Sequence, residues 1–307
     1  MEIGRGRATF AIVVAALLWG TTGTAATFLP DAVSPLATGA ATMGVGGLLL
    51  FLTAPRQSLT VLRGGARGWV IAGAIGVFIY PLAFYSGMDL AGVAIGNVVA
   101  LGTGPVVTAL LERMIERHPL SLRWAVATTL AIGGMALLAF ARHPDAAGEP
   151  DGRVLPGVLL GLLAGLAYGL YTYASGRLIV AGGTSRGTMG AMFGCGALLL
   201  LPVLAVTGAP LLTEAPALGI ASYLAFGPMF VAYLLVGVAL RTLRSSTVTT
   251  IALLEPVVAT VLAVVVVGER LEPLAWVGLF AILGGIVVLV SARPPGRATG
   301  AVLDFHA

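Results

Sequence analysis

Apolar runs of about 20 residues alternate with short polar breaks along almost the whole chain. They fall at 8–29, 34–53, 67–88, 91–111, 121–141, 154–176, 187–207, 216–238, 246–267 and 273–292. A helix crosses about 30 Å of hydrocarbon with roughly 20 residues at 1.5 Å each. The pattern therefore predicts ten membrane-spanning helices. Arg5 and Arg7 precede the first run. That run is longer than the roughly 7–15-residue core of a cleaved signal peptide, so it reads as a retained first span. The longest polar connection, Arg142–Arg153, lies near the midpoint, and 293–307 reads as a short polar cytoplasmic tail.

The two halves resemble each other. A shift of 151 residues carries Pro105 onto Pro256, Leu120 onto Leu271, and Gly133-Gly134 onto Gly284-Gly285. Several anchors at one offset mark an internal repeat. The expected units are a first five-helix repeat over 1–145, a second over 146–292, and the tail. Five spans per unit is an odd number, so the second repeat enters the membrane from the opposite face. Arginine placement agrees. Of 17 arginines, only Arg142, Arg153 and Arg270 fall in one set of alternate loops; the other 14 fall in the complementary set and the termini. The excess of positive charge marks the cytoplasmic side, which puts both termini there.

Composition sharpens this reading. Of 307 residues, 58% are hydrophobic and 10% charged, with a mean hydropathy of +1.01. Soluble domains carry about 25% charge. No polar stretch is long enough for a soluble catalytic or nucleic-acid-binding domain. The chain has no lysine, which removes the phosphate-binding P-loop and Schiff-base cofactors. One cysteine and three histidines make no metal cluster, so neither metal nor cofactor is expected. Gly157, Gly161, Gly165 and Gly169 form a stripe every fourth residue, read as a helix-packing face.

The polar and aromatic residues inside the spans are the candidate chemistry. Tyr168 and Tyr171 share a face of the sixth span with Thr172 and Ser175, and Trp19 and Thr22 stand correspondingly in the first. Tyr80, Asn97 and Tyr233 lie within the third, fourth and eighth. Thr247, Ile251 and Glu255 fall at helical spacing in the ninth. Amphipathic rings and hydroxyls turned to an inner cavity recognise a small, partly apolar solute. Glu255 is the sharpest candidate. A carboxylate at membrane depth costs about 2.5–3.5 kcal/mol on insertion scales, and such a group can load and release a proton during transport. Pro256 removes a backbone donor beside it and frees the carbonyl of Ala252. Pro105 and Pro256 are thus expected helix breaks, a device transporters use to bind solutes and ions.

These residues carry a resemblance. The segments LLWGTTGTAATFLP and LLEPVVATVLAVVVVGERLEPLAWVGLFAILGGIVVLV, with the double-repeat plan, resemble the EamA-type branch of the drug/metabolite transporter superfamily. The Leu-Glu-Pro segment is similar to that of threonine/homoserine-type amino-acid exporters. The resemblance implies an all-α integral membrane protein, with ten transmembrane helices as two inverted five-helix repeats around a central cavity. It also implies efflux of small metabolites across a bacterial inner membrane. Two features depart from the family pattern: Thr42 stands where an arginine is frequent, and Glu116-Arg117-His118-Pro119 replaces Gly-Glu-Arg-Leu. The expected function is a secondary exporter of amino acids or related small metabolites. Its partners are that solute, the lipid bilayer and, as a candidate, protons; the oligomeric state is left open. A multidrug or other-metabolite exporter and a passive facilitator are the alternatives. A lipid-modifying membrane enzyme is the competing class, for which no nucleophile–base pair stands out.

Overall fold

A computed structural model describes residues 4–26, 28–142, 152–213, 215–262, 264–265 and 272–291. Among them there is helix and no strand. Ten helices are long and apolar enough to span a membrane: Arg5–Ala26, Pro35–Thr53, Arg67–Ala91, Ile95–Ile115, Leu122–Ala139, Val154–Val180, Ser185–Thr207, Pro216–Ala239, Ser245–Leu262 and Pro273–Val290. They are called spans 1 to 10 below. Phe10, Leu159, Leu198, Phe280 and Val287 are exposed on the bundle's outside. That apolar outer surface suits lipid, while Tyr171, Phe193, Met192 and Leu200 fill the core. The Arg142–Arg153 link, the turn around Gly268–Leu271 and the tail lie largely outside the described residues.

Several span ends differ from the sequence expectation. The helix of span 4 begins after Gly92, whose φ of 85° suits glycine, and runs on to Ile115 through Glu112. An apolar window stops at a charge, but the helix does not, because Glu112 is hydrogen-bonded inside the bundle. Span 6 likewise continues to Val180 through Arg177, which pairs with Glu116 at 3.5 Å. A short helix, Pro55–Arg63, follows span 2; its polar sequence gave no span signal.

The repeat is visible as reciprocal contacts. A Cβ on Gly134 of span 5 would lie 2.5 Å from the Gly278 carbonyl of span 10, and one on Gly285 would lie 2.5 Å from the Ala127 carbonyl. Adding 151 to Gly134 and Ala127 gives Gly285 and Gly278. In spans 2 and 7, Gly47 meets the Phe193 carbonyl and Gly190 meets the Leu50 carbonyl, a pair of partners related by a shift of 143. Gly20 of span 1 sits on Val258 of span 9 as Gly169 of span 6 sits on Val107 of span 4. When residue i touches j and the mate of j touches the mate of i, a twofold relates the halves. Only glycine permits such close approach, which extends the packing role of the stripe: Gly157, Gly161, Gly165 and Gly169 rest on Ala91, Val99, Thr103 and Val107.

The two expected helix breaks divide. Span 9 is interrupted: one helix ends at Ala252 and the next begins at Glu255. Bonds from Leu253 N to Thr250 O (3.2 Å) and Leu254 N to Ile251 O (3.0 Å) tighten the turn between them. At Pro105 the expectation is corrected, because the helix Val93–Ile115 runs through it. Span interiors tolerate a proline where nearby groups re-satisfy the backbone. The carbonyl that loses its donor here is that of Leu101; one turn on, the Thr108 hydroxyl adds bonds to the Gly104 and Pro105 carbonyls at 3.1 and 2.9 Å. Pro81 in span 3 and Pro228 in span 8 occupy corresponding spans of the two halves, and Pro228 lies in a π-helical stretch, Ala225–Val231.

Candidate functional site

Spans 1, 2, 3, 4, 6, 8 and 9 line a partly open cavity of about 570 Å³, a volume that includes the space at its mouth. Trp19, Thr22, Tyr80, Tyr168, Tyr233 and Glu255 line it, so six of the residues singled out by sequence come together. The cavity sits where the backbone is least regular. Pro81 and Pro228 are in its wall, and Glu255 begins the second helix of the broken span. Leu101, whose carbonyl loses its helical partner at Pro105, also lines it.

The walls are aromatic. The Trp19 and Tyr233 ring centroids are 5.4 Å apart, those of Tyr80 and Tyr168 are 5.8 Å apart, and Tyr80 stacks on Phe84 at 5.3 Å. These are ordinary edge and offset geometries, which fix the rings without filling the space between them. The Trp19 indole N–H donates to the Pro228 carbonyl at 2.8 Å, tying span 1 to the π-helical stretch of span 8. Tyr171 stands one layer behind. It packs on Tyr80 and Tyr168, and its hydroxyl is hydrogen-bonded to that of Tyr233. Phe193 closes the layer, 4.4 Å from Tyr233 by centroid.

Three sequence candidates lie elsewhere. Ile251 is buried in the main core, and Asn97 of span 4 is not among the cavity residues. Thr247 lines a separate opening. The shared face expected for Thr247, Ile251 and Glu255 is corrected by the turn at Leu253-Leu254, which ends one helix before Glu255 begins the next. In the other direction, Thr42, Met43, Phe84, Tyr85 and Met229 line the cavity without having been singled out. Thr42 is the position where the resembling family frequently has arginine. Among the described residues, the cavity wall thus carries one acidic side chain, Glu255, and no basic one. Rings, hydroxyls and a carboxylate suit a small, partly apolar solute bearing an amine.

A second polar cluster escaped the sequence reading. Glu112 is 4% exposed, and its carboxylate accepts from the Ser246 backbone N–H at 2.9 Å and the Ser246 hydroxyl at 2.6 Å. Thr108 and Thr249 hydroxyls meet at 2.9 Å, and Thr128 and Thr250 at 3.0 Å. The signal was present: Pro105, Thr108 and Glu112 recur at helical spacing on one face. Among the described residues, no group of three His, Cys, Asp or Glu side chains could hold a metal.

Ten apolar spans in two repeats around an aromatic cavity define a multi-pass membrane transporter. The EamA-like transporter family matches residues 6–140 and again 155–291. The chain belongs to the EamA-like transporter family, with one match in each half. It is similar to the "Uncharacterized transporter YwfM" of Bacillus subtilis, 29% identical over 288 residues, covering 94% of this chain and 95% of that one. It is also similar to the "Uncharacterized protein PA1977" of Pseudomonas aeruginosa, 30% identical over 259 residues, covering 82% and 81%. A solved structure titled "Crystal structure of protein" has the same fold, with a TM-score of 0.76, 23% identity, and 93% and 96% of the two chains covered.

Proposed function

We propose that this transporter exports amino acids or related small amine-bearing metabolites across the bacterial inner membrane by alternating access. The observation that carries the reading is the cavity at the junction of the repeats, walled by Trp19, Tyr80, Tyr168 and Tyr233 and charged only by Glu255. A carboxylate pairs with an ammonium, and ring faces attract the same cation. Thr22 adds a hydroxyl, and Tyr171 holds the rings from behind. Repeats 1–145 and 146–292 move against each other around this site, with 293–307 on the cytoplasmic side. Replacing Tyr168 with alanine removes one wall. It is expected to weaken solute binding about tenfold, roughly 1.4 kcal/mol, measured as the apparent KM for exchange in proteoliposomes. An unchanged KM for every transported solute would remove Tyr168 from the site.

The orientation has its own test. Thr60 is exposed in the helix Pro55–Arg63, and Gly152 is exposed in the central link. Thr60→Cys and Gly152→Cys, each in a Cys195→Ala background, are expected to label from opposite faces, with Gly152→Cys labelling from outside intact cells. Labelling of Thr60→Cys from outside would invert the map.

A further inference from the structure

We propose that Glu112 is the latch of a polar gate on the arginine-rich side of the transporter, and that the opposite gate closes through apolar contact. The inference rests on the alternating-access reading. Along span 4, Leu101 faces the central cavity, Thr108 sits in the seam with span 9, and Glu112 reaches an open vestibule of about 1180 Å³ lined also by Arg5, Arg123 and Arg244. Along span 9 the order repeats: Glu255 in the cavity, Thr249 in the seam, Ser246 and Thr247 at the vestibule. The seam therefore separates vestibule from cavity.

Hydroxyl pairs and one carboxylate close it. Thr108 meets Thr249, Thr128 meets Thr250, and the Ser245 hydroxyl donates to the Thr172 carbonyl at 3.4 Å. Span 9 is thus joined to spans 4, 5 and 6. At 4% exposed, Glu112 is the least exposed charged residue among the described residues. Its oxygens take the Ser246 hydroxyl and the Ser246 N–H, a first-turn donor that the helix Ser245–Ala252 cannot satisfy internally. The positive end of that helix faces the carboxylate. A first-repeat residue therefore caps a second-repeat helix. Parting the spans would expose Glu112 and Ser246 to vestibule water, which can replace both bonds. That makes the closure reversible.

The repeat shows that this chemistry belongs to one side only. The shift of 151 that relates Val107 to Val258 and Gly134 to Gly285 carries Glu112 to Ala263, and Ser246 back to Ile95. Thr108 and Thr249 become Ala259 and Val98; Thr128 and Thr250 become Leu279 and Val99. Each of these six polar side chains has an apolar mate. Among the described residues, no hydrogen bond joins spans 4 and 9 on the cavity's other side.

The test uses an impermeant maleimide on a cavity reporter, Thr42→Cys in a Cys195→Ala background, in vesicles of known orientation. Removing the latch by Glu112→Ala, or separately by Ser246→Ala, is expected to raise labelling from the arginine-rich face at least tenfold. Labelling from the other face should fall or hold, with an unchanged gel-filtration profile. Glu112→Asp, which keeps the carboxylate on a shorter arm, is expected to lie between. An unchanged rate in both latch variants would overturn the proposal. So would an equal rise from both faces, the sign of general loosening. Labelling needs no transported solute, so its outcome is separate from that of the solute assignment.

Discussion

Glu255→Gln is expected to abolish the response of transport to a pH gradient and to raise the apparent KM for exchange of an amine-bearing solute. The chain has no lysine and so no P-loop. Net transport of a solute uphill must then draw on an ion gradient or a partner. Among the described residues, Glu255 is the one acidic group in the cavity wall, at the start of the second helix of span 9 and against Gly20 of span 1. A carboxylate there can bind a proton or pair with an ammonium; the amide keeps the shape and loses both. Proton binding drives the cycle only if the two access states differ in their affinity for it. In proteoliposomes, an acid-outside gradient is expected to accelerate wild-type efflux of an amine-bearing solute and to leave the Gln variant's efflux at its basal rate. If wild-type efflux ignores the gradient, or the variant keeps its full response, Glu255 is not the coupling group.

The second large effect is structural and comes in matched pairs. Each repeat ends in a double glycine, and its two members have different surroundings. A Cβ on Gly134 would meet the Gly278 carbonyl at 2.5 Å and Ile282 N at 2.8 Å; one on Gly285 would meet the Ala127 carbonyl at 2.5 Å. Gly133 and Gly284 have nothing within 4 Å of an added Cβ. Alanine at the crowded positions must push two backbones apart, costing about 1–3 kcal/mol. At the open positions it should only gain helix propensity, up to about 1 kcal/mol. Gly134→Ala and Gly285→Ala are therefore expected to lower the unfolding midpoint in detergent, whereas Gly133→Ala and Gly284→Ala hold or raise it. Gly134→Leu is expected to yield no folded protein. Equal midpoints for all four alanine variants would contradict the close crossing of spans 5 and 10.

Much of this was legible in the sequence because a membrane imposes one strong pattern. Twenty apolar residues make a span almost regardless of which ones they are. The shift of 151 likewise surfaced as paired prolines and double glycines, and one glycine of each double lies at the crossing of spans 5 and 10. Span ends were less legible at Glu112 and Arg177, because a charged side chain inside a helix looks like a loop until its partner is known. The cavity's rings could be found from their spacing. Thr42, Met43 and Met229 could not, since small hydroxyls and methionines occur on any span face. Asn97 and Thr247 were misplaced for a related reason: periodicity ranks residues on one helix, but the neighbouring helices decide which face is wet. Glu112 stayed hidden because its meaning lies in Ser246, 134 residues away.

The central claim is that this chain is a carrier whose cavity turns between two faces, and counterflow tests it most directly. Purified protein in liposomes loaded with a high concentration of one amine-bearing solute is diluted into a trace of the same labelled solute. A panel of amino acids and their decarboxylated amines is run in parallel, with no ion gradient imposed. The account predicts transient accumulation of label above equilibrium for at least one member of the panel, lost when the solute is left out of the liposomes. Label that only equilibrates, at a rate independent of the trapped solute, would mean a passive pore and would contradict it.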